Sequence, residues 1–556
     1  MKTLLVYPPF HRLHGLKNRF FPIGLGYLAG ALRDAGQEVA IYNGENFDDD
    51  EPLSESRNHT DTFTHFQAYQ DALDNPNHYV WEEVRQVIRQ YQPDLVGITT
   101  KSCMVPAAQI ISRIAKEVNS DRPVIWGGPH ASICPDETIN FDHVDFVARH
   151  EGEQTIVEFA EMLESGRRSW GDIDGLVWRD ASRKVVHNKL RANLPDINAI
   201  PFPDRTADLF PSRYQPDHYG VMFTSRGCPW PCTFCDSRGV WTRQIRYRTP
   251  ENIVAEMRHI HDDLGVRDFY FWDDTFTPYR KHAVKVFDRM IAEFPEKGQP
   301  ITWQATTRCD CVDDELAELM KRSGCRLLTY GVETGSPAMM EILRKGITHD
   351  KVFYAQNVMR KAGMPWHAFF MIGFPDDRPE TIAETMALIR QLECRAVGIS
   401  IFTPYPGLEI YERAKQYGLI TEPIEWRYFS HQSPRNHFVR DIPREEFHRI
   451  AAACLKEADA FNQRRHRIDR LRYLVANPRL IPGQLGRMFK ARTQSARKPA
   501  RRPAGATTAV VRKPTRPPVP DFAHPPVQSP EAASLTRGIR LTPARADRAP
   551  DQGSNK

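Results

Sequence analysis

What the sequence lacks narrows the field first. Its 556 residues contain no apolar run long enough to cross a membrane as a helix. Ten cysteines over this length are too sparse for a disulfide scaffold, and point to ligands or plain core positions. The N-terminus, residues 1–9, has too short an apolar stretch for a secretory leader and no small-residue cleavage site. It reads as a first buried strand, and the expected compartment is the cytoplasm. Large apolar residues run out near residue 490, where Pro, Arg, Ala and Ser take over, so residues 490–556 are expected to stay disordered. That tail carries 14 Lys and Arg against 4 Asp and Glu, so the overall charge of +5 conceals a mildly acidic body. The basic excess would suit contact with polyanions or a membrane surface. The acidic body, with no separate RNA-binding module, speaks against a nucleic-acid enzyme.

What is present is an alternation of strand and helix signals. Strand-like runs at residues 4–7, 39–42, 94–99, 124–126 and 144–148 are separated by helical periodicity at 24–35 and 105–118, with another helix from 154. Lengths of this kind predict an α/β fold with a doubly wound parallel sheet over residues 1–165. Residues 46–77 look like a polar, irregular insertion. Residues 166–218 read as a linker with a short hairpin at 175–188. A second domain, 219–420, shows six strand signals, at 221–224, 268–272, 301–305, 327–331, 367–372 and 396–402. Helical segments between them predict a partial (β/α)6 barrel rather than a closed eightfold one. Residues 421–489 are expected to form a helical extension.

The chemistry concentrates in Ser225-Arg226-Gly227-Cys228-Pro229-Trp230-Pro231-Cys232-Thr233-Phe234-Cys235, directly after the first barrel strand. Three thiolates within eight residues of one loop can converge on a 4Fe–4S cubane, leaving one iron open for a chelating ligand. A zinc site short of a ligand is the bland alternative. Zinc favours paired C-x2-C units, and Cys309 and Cys311 are spaced C-x-C on another strand.

This loop resembles the signature of the radical S-adenosylmethionine superfamily, C-x3-C-x-aromatic-C after the first strand of a partial barrel. The resemblance covers about residues 219–419. It implies that Cys228, Cys232 and Cys235 hold the cluster and that the open iron chelates the amino and carboxylate groups of S-adenosylmethionine. Glu333 and Ser336, after the fourth strand, match positions that bind its ribose and polar end. Phe234 and the backbone of Gly373, Phe374 and Pro375 would border the adenine, and Arg308 would meet the carboxylate. Asp273 and Asp274 read as caps without a chemical role.

In the first domain, Gly24 and Leu25 open a helix, Ser102 follows the third strand, Gly127, Gly128 and His130 follow the fourth, and Glu151 and Gly152 the fifth. All fall where doubly wound sheets bind ligands. Such a sheet ahead of a radical barrel looks like the cobalamin-binding domain of cobalamin-dependent radical enzymes. The D-x-H-x-x-G motif that supplies a histidine to cobalt is missing, which leaves His130, His11 and His14 as lower-face candidates by location only. The resemblance implies three cofactors: cluster, S-adenosylmethionine and cobalamin. It also implies a small-molecule substrate and a reductant such as flavodoxin or ferredoxin. The expected activity is radical methylation of an unactivated carbon or phosphorus centre. Cyclisation of a tetrapyrrole, radical rearrangement, RNA modification and a non-catalytic cluster protein remain as alternatives.

Overall fold

The structure, a computed structural model, describes residues 1–54, 65–241, 243–295, 300–431 and 433–476. The predicted tail, residues 490–556, and the end of the predicted helical extension lie outside the described residues.

The first sheet is built from strands whose every residue is apolar over the middle. Leu5, Ile41, Leu95 and Ile125 point into one core, while Leu4, Val6, Val96, Ile98 and Trp126 point into another. A strand apolar on both faces must be covered on both, and a parallel crossover topology supplies that cover. Helices Ile23–Asp34 and Glu153–Glu164 pack on the first face, and Tyr79–Tyr91 and Val105–Val118 on the second. The strands are β1 (Lys2–Tyr7), β2 (Glu38–Asn43), β3 (Leu95–Thr99), β4 (Val124–Gly127), β5 (Phe146–Ala148), β6 (Leu176–Arg179) and β7 (Val185–His187). Their spatial order is β2-β1-β3-β4-β5-β6-β7. The chain leaves β1 in one direction and returns on its other side as β3, so the topological switch lies between them, and ligands bind outside the carboxyl ends there. The hairpin expected between domains is β6 and β7, which extend this sheet antiparallel from β5.

Residues 46–77 differ from the irregular insertion expected. Helix Phe66–Asp74 buries Phe66, Tyr69 and Ala72 beside Phe10 and His14. Its apolar positions, Ala68 and Ala72 among them, sit in a polar surrounding stretch, and tertiary packing supplies what the local pattern does not. Residues 55–64 lie outside the described residues.

The second sheet holds six parallel strands in the order β15-β14-β13-β12-β11-β8. They are β8 (Val221–Met222), β11 (Asp268–Phe271), β12 (Thr302–Thr307), β13 (Cys325–Glu333), β14 (Trp366–Ile372) and β15 (Ala396–Ile401). Between β8 and β11 a small ladder joins β9 (Ser225–Arg226) to β10 (Arg246–Tyr247). Phe269, Trp303, Leu328, Tyr330, Ala368 and Phe370 are buried outward against the helices. The alternating positions Tyr270, Gln304, Thr329 and Phe369 are less covered and face the concave side. The edge strands β8 and β15 do not pair, so the barrel is partial, as expected. Helix Arg444–Ala476 covers the β15 edge, where Asn462 pairs with Val397 like a strand residue: its Oδ1 accepts from Val397 N at 2.8 Å and its Nδ2 donates to Val397 O at 2.9 Å. No helix among the described residues is long and apolar enough to cross a membrane.

Candidate active site at the seam of two sheets

The cysteine loop is held from below before its first thiol. Buried Asp273, just past β11, accepts from the Thr224 amide at 3.0 Å and the Thr224 hydroxyl at 2.8 Å. Burial pushes its carboxyl up to about 6 against those bonds. Asp274 accepts from Ser237 Oγ at 2.7 Å. These two carboxylates brace the loop. Gly227 has φ +103°, and a Cβ there would stand 2.5 Å from the Gln244 carbonyl, so the turn into Cys228 needs glycine.

Cys228 and Cys232 are half-buried, and Cys235 is exposed. The groups packed around it still desolvate the Cys235 thiol and push it up to about 12, although part of its surface is open. Burial raises Cys232 too, against the pull of Lys345 and Arg308. A bound iron centre deprotonates such thiols outright, and the two cations beside Cys232 suit a thiolate. Among the described residues, one set of three ligating side chains has its donor atoms within 4.8 Å of one another, and it is elsewhere. The loop fits the cluster.

The four barrel loops expected around S-adenosylmethionine meet here. Glu333 adopts φ +74° and pairs with Lys345 Nζ at 2.9 Å. Ser336 Oγ is buried with no partner among the described residues. Such an orphaned hydroxyl fits a polar ligand that would complete it. Phe374 packs on Phe402 at 4.6 Å and faces Phe234 at 6.0 Å between ring centroids. The Gly373 and Phe374 amides both donate to Asp377 Oδ2, at 2.8 and 3.0 Å. The Pro375 carbonyl accepts from the Arg440 amide. Arg308 is near but engaged: it forms two 2.9 Å bonds to Asp310 and one of 2.8 Å to the Lys345 carbonyl, and lies 4.3 Å over the Trp230 ring. Its visible work is to brace the cysteine loop.

In the first sheet, Gly24 is exposed with nothing within 4 Å of a Cβ, and Gly127 has no neighbour closer than 3.7 Å. Both leave room for a flat ligand, which fits a corrin. Gly128 answers a different need: at φ +92° a Cβ would meet Thr99 Oγ1 at 2.7 Å. Leu25 is 2 % exposed and belongs to the core, not the crevice. Gly152 abuts Leu28. His130 is 1 % exposed, its Nδ1 3.1 Å from Ser102 Oγ. Burial lowers its pKa to about 3 and leaves no open face toward a corrin. His14 is buried and stacked on Tyr69 at 4.5 Å, its pKa lowered to about 4 by burial. His11 pairs with Glu45 at 3.1 Å. Beside the switch point, Lys101 Nζ lies 5.8 Å over the Tyr7 ring, a pair the sequence reading did not single out.

Glu151 has a structural job. Its carboxylate receives Arg226 and, in bidentate fashion, Arg246, each at 2.8 Å, while Arg226 also reaches Glu153 at 2.6 Å. Burial would push its carboxyl up, but the Arg246 and Arg226 contacts outweigh that and hold it below the usual range. Because Arg226 and Arg246 lie on β9 and β10, this cluster bolts the end of β5 to the root of the cysteine loop. Nearby, Ile133 packs under Gly239 and Gly407. The carboxyl ends of the two parallel sheets thus meet across one seam.

The comparisons agree with this two-sheet plan. A family model described as the B12 binding domain matches residues 13–160, and one described as the Radical SAM superfamily matches residues 222–389. An uncharacterized methyltransferase of Pyrococcus horikoshii is 31% identical over 442 residues, spanning 78% of this chain and 87% of its own. Cytidylyl-2-hydroxyethylphosphonate methyltransferase of Streptomyces wedmorensis is 26% identical, over 77% of this chain and 84% of its own. Anaerobic magnesium-protoporphyrin IX monomethyl ester cyclase of Rubrivivax gelatinosus is 23% identical, over 74% and 70%. Among solved structures, the radical S-adenosylmethionine methyltransferase TsrM of Kitasatospora setae, with cobalamin and a [4Fe-4S] cluster bound, superposes with a TM-score of 0.57. It is 19% identical and covers 76% of each chain.

Proposed function

Because the chain belongs to the radical S-adenosylmethionine enzymes that carry a B12-binding domain, we propose that it transfers a methyl group to an unactivated carbon or phosphorus centre of a small-molecule or lipid-like substrate. The observation that carries this reading is the seam, where the crevice of the first sheet opens onto the cysteine loop of the second. When bound, the cluster with S-adenosylmethionine supplies a hydrogen-abstracting radical, and the corrin cobalt supplies the methyl group. The chain's own residues do the rest. Cys228, Cys232 and Cys235 hold the cluster at the mouth of the barrel. Ser336, Glu333 and the Gly373–Phe374 turn orient S-adenosylmethionine over it, and Lys345 keeps Glu333 in place. Gly24 and Gly127 give the corrin its approach. Arg226, Glu151 and Arg246 fix the distance between the two halves, which sets how far a radical must reach.

A second reading, oxidative cyclisation or rearrangement, draws on the likeness to the protoporphyrin cyclase. One experiment separates them. The full chain, reconstituted anaerobically with iron, sulfide and cobalamin, is given a reductant, methyl-labelled S-adenosylmethionine and host metabolite extract. Methylation yields 5′-deoxyadenosine and S-adenosylhomocysteine in equal amounts with label in a new small molecule. Product without label rejects methylation and leaves the cluster assignment standing.

A further inference from the structure

Helices Pro129–Ile133 and Pro135–Ile139 follow β4 back to back, joined at Cys134. Cys134 is the non-helical junction (φ −117°, ψ 53°), and the break brings positions 130, 134 and 137 together. The donor atoms of His130, Cys134 and Glu137 lie within 4.8 Å of one another. His130 Nδ1 is 3.1 Å from Ser102 Oγ, while its Nε2 is buried without a partner among the described residues. Trp426 stands edge-on to the His130 ring, 4.6 Å between centroids, and its indole N–H donates to Glu137 Oε1 at 2.6 Å. Cys134 is half-buried and free of any disulfide.

We propose that His130, Cys134 and Glu137 form a zinc site, separate from the cluster loop, that ties the end of β4 to the segment around Trp426. One imidazole, one thiolate and one carboxylate make the mixed donor set of a borderline divalent ion, with water at the fourth position. With its proton on Nδ1, donated to Ser102, His130 turns its Nε2 lone pair to the metal. Ser102 and Trp426 are the outer hydrogen-bond partners that fix a ligating imidazole and carboxylate. The charges close: Zn2+ against one thiolate and one carboxylate, the thiol proton passing to solvent on binding. A ligand role also accounts for the buried Nε2 that has no partner among the described residues. Trp426, from the chain beyond the barrel, reaches the site through its hydrogen bond to Glu137.

The test uses the full chain grown with added zinc and purified without oxygen. Elemental analysis should find about one zinc per chain beside the iron of the cluster. Absorption fine structure at the zinc edge should show one sulfur at about 2.3 Å and nitrogen or oxygen at about 2.0 Å. Cys134→Ser and Glu137→Gln should each lower zinc at least tenfold and leave iron content unchanged. Joint replacement of Cys228, Cys232 and Cys235 by Ala should abolish iron and leave zinc. Absence of zinc from the wild-type chain after incubation with one equivalent overturns the proposal. So does a zinc edge with two or three sulfurs, or zinc that disappears with the triple variant. The edge spectrum of the wild type decides even where a variant fails to fold.

Discussion

The two parallel sheets put their sites at the same place, the carboxyl ends of the strands, but build them from different material. On the proposed reading the barrel loop reaches its cofactor with side chains, three thiols at fixed spacing. The first sheet offers backbone and empty room, at Gly24 and Gly127. The difference decides how each site fails. A site made of ligating atoms is lost outright when the atoms are removed. A site made of space is lost by degrees, as something fills it.

The sharpest way to break the comparison is to delete the ligands. Joint replacement of Cys228, Cys232 and Cys235 by Ala should take iron from about four per chain to none. S-adenosylmethionine cleavage should vanish with it, while cobalamin binding by the first domain persists. Iron retained at the wild-type level would show that the loop is not the cluster site.

Next in size is the bolt between the halves. Glu151→Ala leaves Arg246 without its carboxylate inside the seam, and breaking a buried pair of this kind costs ~3–5 kcal/mol. A thermal scan of the variant should show an earlier transition, and the single seam should unfold before the barrel. The pH dependence has a definite sign. The Glu151 carboxyl is held below its ordinary value, so its contribution is complete above the unfolded pKa, about 4.3. It is lost only as pH falls through the lower folded value. The gap between wild type and Glu151→Ala should therefore be flat through neutral pH and close only in strong acid. A gap that closes near pH 6 instead would point to another group.

This asymmetry also explains what was legible in the sequence. The signal of Cys228, Cys232 and Cys235 is local in the sequence, as are the strand periods and the glycine turns. Arg226 stood in the same quoted motif and was passed over, because its partners Glu151 and Glu153 lie more than seventy positions upstream and only the fold joins them. Lys345 and Asp377 differ, since their partners are close in sequence, Glu333 twelve positions before Lys345 and Gly373 four before Asp377; no motif at that spacing marks either contact. Leu25 sits beside Gly24 in the sequence, yet helical geometry turns adjacent residues about a quarter of a circle apart, so Gly24 faces solvent and Leu25 the core. Arg308 was found by position, but its commitment to Asp310 depends on a tight turn that no spacing announces.

Gly128 comes third. Its φ of +92° and ψ of −174° belong to a region that side chains rarely enter, and strain of this kind costs ~1–3 kcal/mol. Gly128→Ala must also push Thr99 Oγ1 away. Its chemical-denaturation midpoint should fall, and any loss of cobalamin would follow from the loss of fold.

Gly127 gives the smallest effect on stability and the cleanest reading of the first site. Its φ is not in the left-handed region, and a Cβ would find the Ala148 carbonyl no nearer than 3.7 Å, an ordinary contact. Gly127→Ala should therefore keep the denaturation midpoint within ~0.5 kcal/mol of wild type. If the flat face of a corrin lies against this backbone, the added methyl group stands where the ligand must approach. Cobalamin retained after gel filtration should then fall several-fold, with iron content untouched. Gly127→Val should lower it further in the same order. Binding unchanged in both variants would mean that the room above Gly127 is not where the corrin lies, and that the site is carried by Gly24 and the β1–β3 switch instead.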